Sequence, residues 1–334
     1  MDNNEINQIF ERFKQLHVVV IGDVMVDTYL WGKVDRVSPE APVPVVTVLK
    51  RENRLGGAAN VSLNIKALGA TPYLFSVVGD DEKGRKFKKL LTKEELSCDG
   101  IFVDSKRITT VKTRIISKGQ HIVRVDEESA EDLDSVLETT IVKAIEKLLD
   151  KIKIDVIIFV DYDKGMITPT LFDKVNEMAV IRGIPTAVDP KKRNFNHYKN
   201  VSLFKPNFKE LVDGSGIQIE KGDFETIKKV ADSIKQKQNF KIIFVTLSEL
   251  GVFISNGVKE QYYPAIIRYI ADVSGAGDTV ISVASLAMAS GLSPEIMALM
   301  SNLAGGLVCE KTGVSPVNKD QLINEMLLQK TALF

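Results

Sequence analysis

Cysteine and histidine are scarce in this chain: 334 residues hold two cysteines and three histidines. Cys98 and Cys309 lie far apart and outside any C-x-x-C pattern, and His17, His121 and His197 are scattered. That excludes a disulfide framework and a zinc ligand set. Surplus charge is missing too, with 44 Lys and Arg against 44 Asp and Glu. A balanced chain gives no reason to expect nucleic acid or an anionic membrane as partner. No apolar run is long enough to span a bilayer. The opening stretch MDNNEINQIFERFKQLH is broken by charges and has no apolar core, so it does not read as a secretory signal. It reads as an amphipathic helix with Ile6, Ile9, Phe10, Phe13 and Leu16 on one side. The expected setting is the cytoplasm, with free thiols. Any catalysis must rest on carboxylates, lysines and backbone amides, with a hard metal left open.

What is present is an alternation of strands and helices. VVVIGD (18–23), YLFSVVG (73–79), DVIIFVD (155–161), IPTAVDP, SLFKPN and KIIFVTL read as strands. Helical spacing fills 61–69, 84–96, 133–152 and 168–183, the last with Thr168 as cap and Pro169 at its first position. The last quarter is helical over 279–291, 293–313 and 319–329. Continuously apolar strands separated by helices predict an α/β fold, a mostly parallel sheet covered on both faces. Two stretches, 31–53 and 101–126, lack helical period and alternate like exposed strands. They are expected to form a small β layer at the sheet edge, with 36–46 pairing with 101–126, as a lid or a dimer contact. The whole of 1–334 is read as a single domain carrying this insertion.

The stretch DVSGAGDTV (272–280) is the sharpest local signal. It is no dinucleotide fingerprint, because Val280 holds the third glycine position and no acidic residue closes a following strand. No G-x-x-x-x-G-K-[ST] occurs either; GDDEKGRK (79–86) comes nearest. The amides of Gly275, Ala276 and Gly277 can instead converge at the positive end of a helix starting near Asp278, a place that stabilises charge on a transferred group. Asp278 is then either a general base for a hydroxyl or only a helix cap. The turn alone leaves both open.

DVSGAGDTVISVASLA (272–287) resembles the C-terminal signature of the PfkB, ribokinase-like, sugar kinases, and RLGGAANVSLNIKALGA (54–70) resembles their N-terminal signature. The resemblance spans nearly the whole chain. It implies a three-layer α/β/α domain with a β lid, ATP as phosphoryl donor, Mg²⁺, and homodimers through the lid; a K⁺ requirement stays open. It makes Asp278 the catalytic base and Gly275, Ala276 and Gly277 its anion hole. Gly22, Asp23 and Asp27 match a segment whose acidic residue holds sugar hydroxyls, and Gly56, Gly57 and Asn60 a second sugar-contacting element. In KPNFKEL (205–211), Asn207 and Glu210 match the element placed near Mg²⁺ and phosphates through water. TLSELG keeps Thr246 and Gly251 of a nucleotide loop, with Ser248 in place of the family's glycine. Asn302 falls where the adenine pocket closes.

RVSPEAPVPVV (36–46), KTRIISKGQHIVRVDEE (112–128), VDYDKGMIT (160–168), VDPKKRNF (188–195) and GVSPV (313–317) further resemble stretches typical of bacterial heptose-7-phosphate kinases of lipopolysaccharide biosynthesis. The resemblance implies a heptose 7-phosphate acceptor. It also implies a kinase acting without the nucleotidyltransferase unit that follows in many such proteins, since the chain reaches Phe334 with no HxGH-type element. Cations for the substrate phosphate are sought in Lys164, Lys191, Lys192 and Arg193 after strands, with Arg114 and Arg124 in the lid. The alternatives are a kinase of the same family for another sugar phosphate or a nucleoside, or a silent sugar sensor.

Overall fold

A computed structural model describes residues 3–329. In chain order the elements are α1 (Asn3–Phe13), β1 (His17–Gly22), β2 (Val24–Val37), β3 (Pro44–Gly57), α2 (Ala58–Ala67), β4 (Thr71–Gly79), α3 (Glu82–Lys93), β5 (Ile101–Asp104), β6 (Val111–Ser117), β7 (Gln120–Glu127), α4 (Ser135–Leu149), β8 (Val156–Val160), α5 (Pro169–Ile181), β9 (Thr186–Asp189), β10 (Leu203–Phe204), α6 (Phe208–Ser215), α7 (Phe224–Gln238), β11 (Ile242–Thr246), β12 (Val252–Ser255), β13 (Glu260–Tyr263), α8 (Ala276–Ala289), α9 (Pro294–Cys309) and α10 (Lys319–Leu328). Nine strands form one sheet in the order β13-β12-β11-β10-β9-β8-β1-β4-β5. It is parallel from β5 to β11, and β12 and β13 join antiparallel at one edge.

The central strands are apolar throughout because each feeds two cores. Side chains alternate across a strand. Val18 and Val20 of β1 and Ile158 of β8 pack with α2, α8 and α9, while Val19, Ile21 and Phe159 pack with α4, α5 and α7. Among the described residues no helix is long and apolar enough to cross a membrane.

The small layer is a separate four-stranded sheet, β3-β2-β6-β7. Its bounds correct the expected ones. The insertion begins at Val24, since β2 leaves β1 after one residue and pairs with β3 over nearly its whole length. Segment 101–104 is not part of it. As β5 it pairs parallel with β4 and buries Ile101 in the main core, so the lid contribution from this region runs from Val111 to Glu127. Residues 36–46 pair within the β2–β3 hairpin; the partner of β6 is the inner half of β2, Val26 to Gly32. Two features went unassigned in the sequence. Helix α7 has apolar Ile227, Val230, Ala231 and Ile234 at helical spacing behind an Asp223 cap, and the β12–β13 hairpin turns through Asn256-Gly257.

Gly22 is where β1 comes closest to its neighbour: a Cβ there would lie 2.1 Å from the Val160 carbonyl oxygen. Gly22→Ala is therefore expected to cost about 1–3 kcal/mol through overpacking, read as a lowered denaturant midpoint. An unchanged midpoint would show that the β1–β8 contact yields freely.

Candidate active site

In a parallel sheet the carboxyl ends of the strands share one edge, where open α/β folds bind ligands. Asp23 follows β1, Asp161 and Tyr162 follow β8, Asp189 ends β9, Lys205 follows β10 and Thr246 ends β11. Helix α8 brings Asp278 to this edge in its first turn.

Asp278 is 2% exposed. One carboxylate oxygen accepts from Asn60 Nδ2 at 2.8 Å, the other from the Tyr162 hydroxyl at 2.7 Å. Burial pushes the group up to about 7; the bonds from Asn60 and Tyr162 pull it down, and the Asp189 and Asp27 charges add to the rise. A carboxyl titrating near neutrality is suited to accept a hydroxyl proton. It does not cap the helix: Gly275 is the N-cap, in the left-handed region at φ 80°, with no side-chain cap. A Cβ at Gly275 would lie 2.8 Å from Asn60 Nδ2, so glycine lets the turn reach the asparagine that holds the carboxylate.

Of the three turn amides, that of Ala276 donates to the Val273 carbonyl at 3.3 Å. Those of Gly275 and Gly277 meet no backbone acceptor among the described residues. A cation stands beside them that the sequence reading passed over. Lys205 is 2% exposed, pairs with Asp189 at 3.0 Å, and places Nζ 3.8 Å from where a Gly277 Cβ would be. Its position two residues before Asn207, at a strand end, was the available signal.

Asn207 and Glu210 open α6 as a capping box: the Asn207 side chain accepts from Glu210 N–H, and Glu210 Oε2 from Asn207 N–H. The second Glu210 oxygen pairs with Lys191. Asn207 bridges Thr246 in the sheet, so these residues adjoin. In the following turn Gly251 has φ 100°, and a Cβ there would meet the Tyr263 carbonyl at 2.0 Å. Ser248 has φ 57°, which explains why glycine suits that position. Asn302 donates to the Pro264 carbonyl at 2.8 Å and tethers the loop after β13.

Around Asp23 and Asp27 the assignments divide. Asp27 is buried, pairs with Arg114 of β6, and would lie 2.0 Å from a Cβ on Gly56. Burial raises its pKa and Arg114 opposes the rise. Gly57 has φ 61°, turning β3 into α2. Asp23, also read as a sugar ligand, accepts backbone N–H groups from Tyr162, Lys164 and Met166 at 2.8, 3.2 and 3.0 Å. Buried and accepting three backbone amides, it anchors the loop that carries Tyr162. Asn60, read as a sugar contact, donates to the Asp278 carboxylate. Of the cations sought for a distant phosphate, Lys164, Lys191 and Arg193 also separate. Lys191 lies with Glu210 and 5.4 Å from the Tyr162 ring centroid, on the Asp278 side. Arg193 is spent on Asp132 at 2.7 Å and the Ala130 carbonyl at 2.9 Å. Lys164 stands beside the lid, paired with Glu128 at 2.8 Å.

A buried carboxylate raised toward neutrality, an amide turn with a lysine beside it and a small second sheet adjoining the strand ends make an arrangement suited to phosphoryl transfer to small hydroxyl compounds. Residues 15–321 match the pfkB family carbohydrate kinases, and the chain belongs to that family: it is an ATP-dependent sugar kinase. Its relatives include the bifunctional protein HldE of Syntrophotalea carbinolica, 38% identical over 98% of this chain, and that of Geobacter sulfurreducens, 36% identical over 98%. The chain spans 66% of the length of each. Phosphofructokinase-2 from Escherichia coli, solved in complex with substrates and products, has the same fold at TM-score 0.76 and 18% identity, covering 94% of this chain and 99% of that one. Arabidopsis thaliana ribokinase complexed with ribose and ATP superimposes at TM-score 0.68 and 18% identity, covering 93% and 98%.

Asp278→Asn is expected to lower kcat by about 10²–10⁴ without loss of fold. Because the carboxylate is the active form, kcat/KM should fall as pH drops below about 7. Tyr162→Phe removes a bond favouring the ionised form and should move this acidic limb to higher pH. A profile flat from about pH 6 to about pH 8, in wild type and Y162F alike, would remove Asp278 as the base.

Proposed function

We propose that the protein transfers the γ-phosphoryl group of ATP to the anomeric hydroxyl of D-glycero-D-manno-heptose 7-phosphate. The hydroxyl oxygen forms a bond to the γ-phosphorus, the bond to the bridging oxygen breaks, ADP leaves, and the proton passes to Asp278. The amides of Gly275 and Gly277, with Lys205, face the charge on the group in transit. The product, a 1,7-bisphosphate, would serve ADP-heptose and lipopolysaccharide core synthesis in the cytoplasm.

One observation carries the choice of substrate. Of the five stretches that resemble heptose-7-phosphate kinases, three supply side chains around Asp27 and Asp278. They are 112–128 with Arg114 on Asp27, 160–168 with Tyr162 on Asp278, and 188–195 with Asp189 on Lys205. A fourth, 313–317, gives the Val314 N–H to the hydroxyl of Tyr29, whose ring lies under Arg114.

No cluster of three metal-ligating side chains occurs among the described residues. Mg²⁺ commonly keeps several waters and rests on one or two carboxylates and substrate phosphates. Glu210 fits that use, because one of its oxygens already holds a cationic group, Lys191. Glu210 and Asn207 would hold the ion through water, and its chemistry there is neutralisation of phosphate charge.

A coupled ADP-release assay over sugar monophosphates, run beside unphosphorylated heptose, tests the reading. The 7-phosphate is expected to gain about 2–4 kcal/mol in kcat/KM, the worth of partly buried charged contacts. Equal turnover of heptose and its 7-phosphate would reject it.

The outer face of the small sheet leaves Val48, Leu49, Val123 and Val125 exposed, an apolar layer that suits a second copy of the chain. Sedimentation is expected to give a dimer, and Val123→Lys with Val125→Lys a monomer. A wild-type monomer would remove the lid as the contact.

A further inference from the structure

Lys112 and Lys164 approach one carboxylate from opposite walls of the acceptor side. Lys112 stands on lid strand β6 in register with Asp27, and Arg114, two residues on and so on the same face, touches Asp27. Lys164 stands on the loop after β8 that also carries Tyr162 to Asp278. Its backbone is fixed at both ends: its N–H donates to Asp23, and its carbonyl accepts from Arg107 at 2.8 Å. Between the two lysines lies Glu128, the first residue after β7. Its Oε1 is 2.8 Å from Lys164 Nζ and its Oε2 3.5 Å from Lys112 Nζ. Asp126, opposite Lys112 in the sheet, adds a contact at 3.2 Å.

We propose that Lys112 and Lys164 form the seat for the phosphate ester of the acceptor sugar, and that Glu128 fills this seat until the substrate enters. The inference rests on the sugar-phosphate reading of the same site and names the residues that select for it. Three observations support it. Lys112 and Lys164 converge on one carboxylate, whereas Arg114 meets Asp27, Arg124 meets Asp126, Lys191 meets Glu210 and Arg193 meets Asp132, and Lys192 is exposed. A carboxylate bridging two ammonium groups has the charge and oxygen spacing of part of a phosphomonoester. The exchange is also favourable. The lysine side chains are 15% and 16% exposed and Glu128 is 32% exposed, so the carboxylate can swing to water while the cations stay. A partly exposed ion pair is weak, whereas a dianion between two ammonium groups makes stronger charge-assisted bonds.

The seat is read independently of turnover by calorimetric titration of the full chain with inorganic phosphate. Saturating AMP-PNP and Mg²⁺ keep the nucleotide-phosphate positions filled. Glu128→Gln is expected to tighten phosphate about 5–10-fold, and Lys112→Met or Lys164→Met to weaken it at least about tenfold. In the coupled assay Glu128→Gln should lower KM for the sugar phosphate but not for the free sugar, with KM for ATP unchanged. Phosphate binding that is unaltered or weakened in E128Q, or intact in both lysine variants, overturns the proposal. If the phosphate affinities shift as expected but heptose 7-phosphate is not turned over, the seat stands and the heptose assignment fails. If heptose 7-phosphate is turned over equally by wild type, K112M and K164M, the kinase reading stands and the seat falls.

Discussion

A carboxylate removed from water is costly unless it is hydrogen-bonded, and Asp278 sets this requirement at the centre of the molecule. Its two partners arrive from opposite ends of the chain's logic. Asn60 comes from α2, which packs along α8; Tyr162 comes from the loop after β8. For Asn60 to reach, α2 and α8 must lie close, and a short polar ladder holds them there: Asn64 donates to the Asn60 carbonyl and accepts from Thr279 and from the Val317 amide. For Tyr162 to reach, its loop must be rigid, and Asp23 supplies that by accepting its backbone amides. Beneath it Asp161, raised to about 6 by burial and by the charge of Asp23, is held by Tyr198 and Asn194. Much of the polar content of this buried region thus serves to place one carboxylate.

Charge pairing explains how the surrounding cations are distributed. Lys205 and Asp189 pair below the amide turn, and Lys191 and Glu210 pair next to them. Burial works against the charge of Lys191, but Asp189 and Glu210 outweigh it and keep the ammonium protonated. The cations around Asp278 are therefore already balanced by carboxylates, so an incoming anion exchanges partners instead of meeting bare charge. The lid end is arranged alike, with Arg114 on Asp27 and two lysines on acidic residues of the β7 exit.

Periodicity made most of the architecture legible. Continuously apolar strands such as Val18–Ile21 announce burial on both faces, and helices with caps such as Thr168-Pro169 announce their own starts. The edges were harder. Segment 101–104 alternates like the lid strands near it in sequence, and only its pairing with β4 assigns it to the main sheet. Glycines were informative where backbone approach is tight: Gly56 beside Asp27 and Gly275 beside Asn60 sit in motifs recognisable before any fold is known.

Residue type, order and local spacing determined the fold class and the glycine turn before Asp278, and the family signature singled out that carboxylate, because these depend on neighbours within a few residues or on strings that survive as signatures. The roles of the remaining polar residues were decided by tertiary structure. Asp23 and Asp27 look equivalent in GDVMVD, yet one holds three amides from residues 162–166 and the other faces a lid arginine. Lys164, Lys191 and Arg193 look interchangeable after their strands, yet each is claimed by a different carboxylate. A charged side chain takes its function from the partner that neutralises it, and here those partners lie up to tens of residues away in the chain, brought within reach only by the folded sheet.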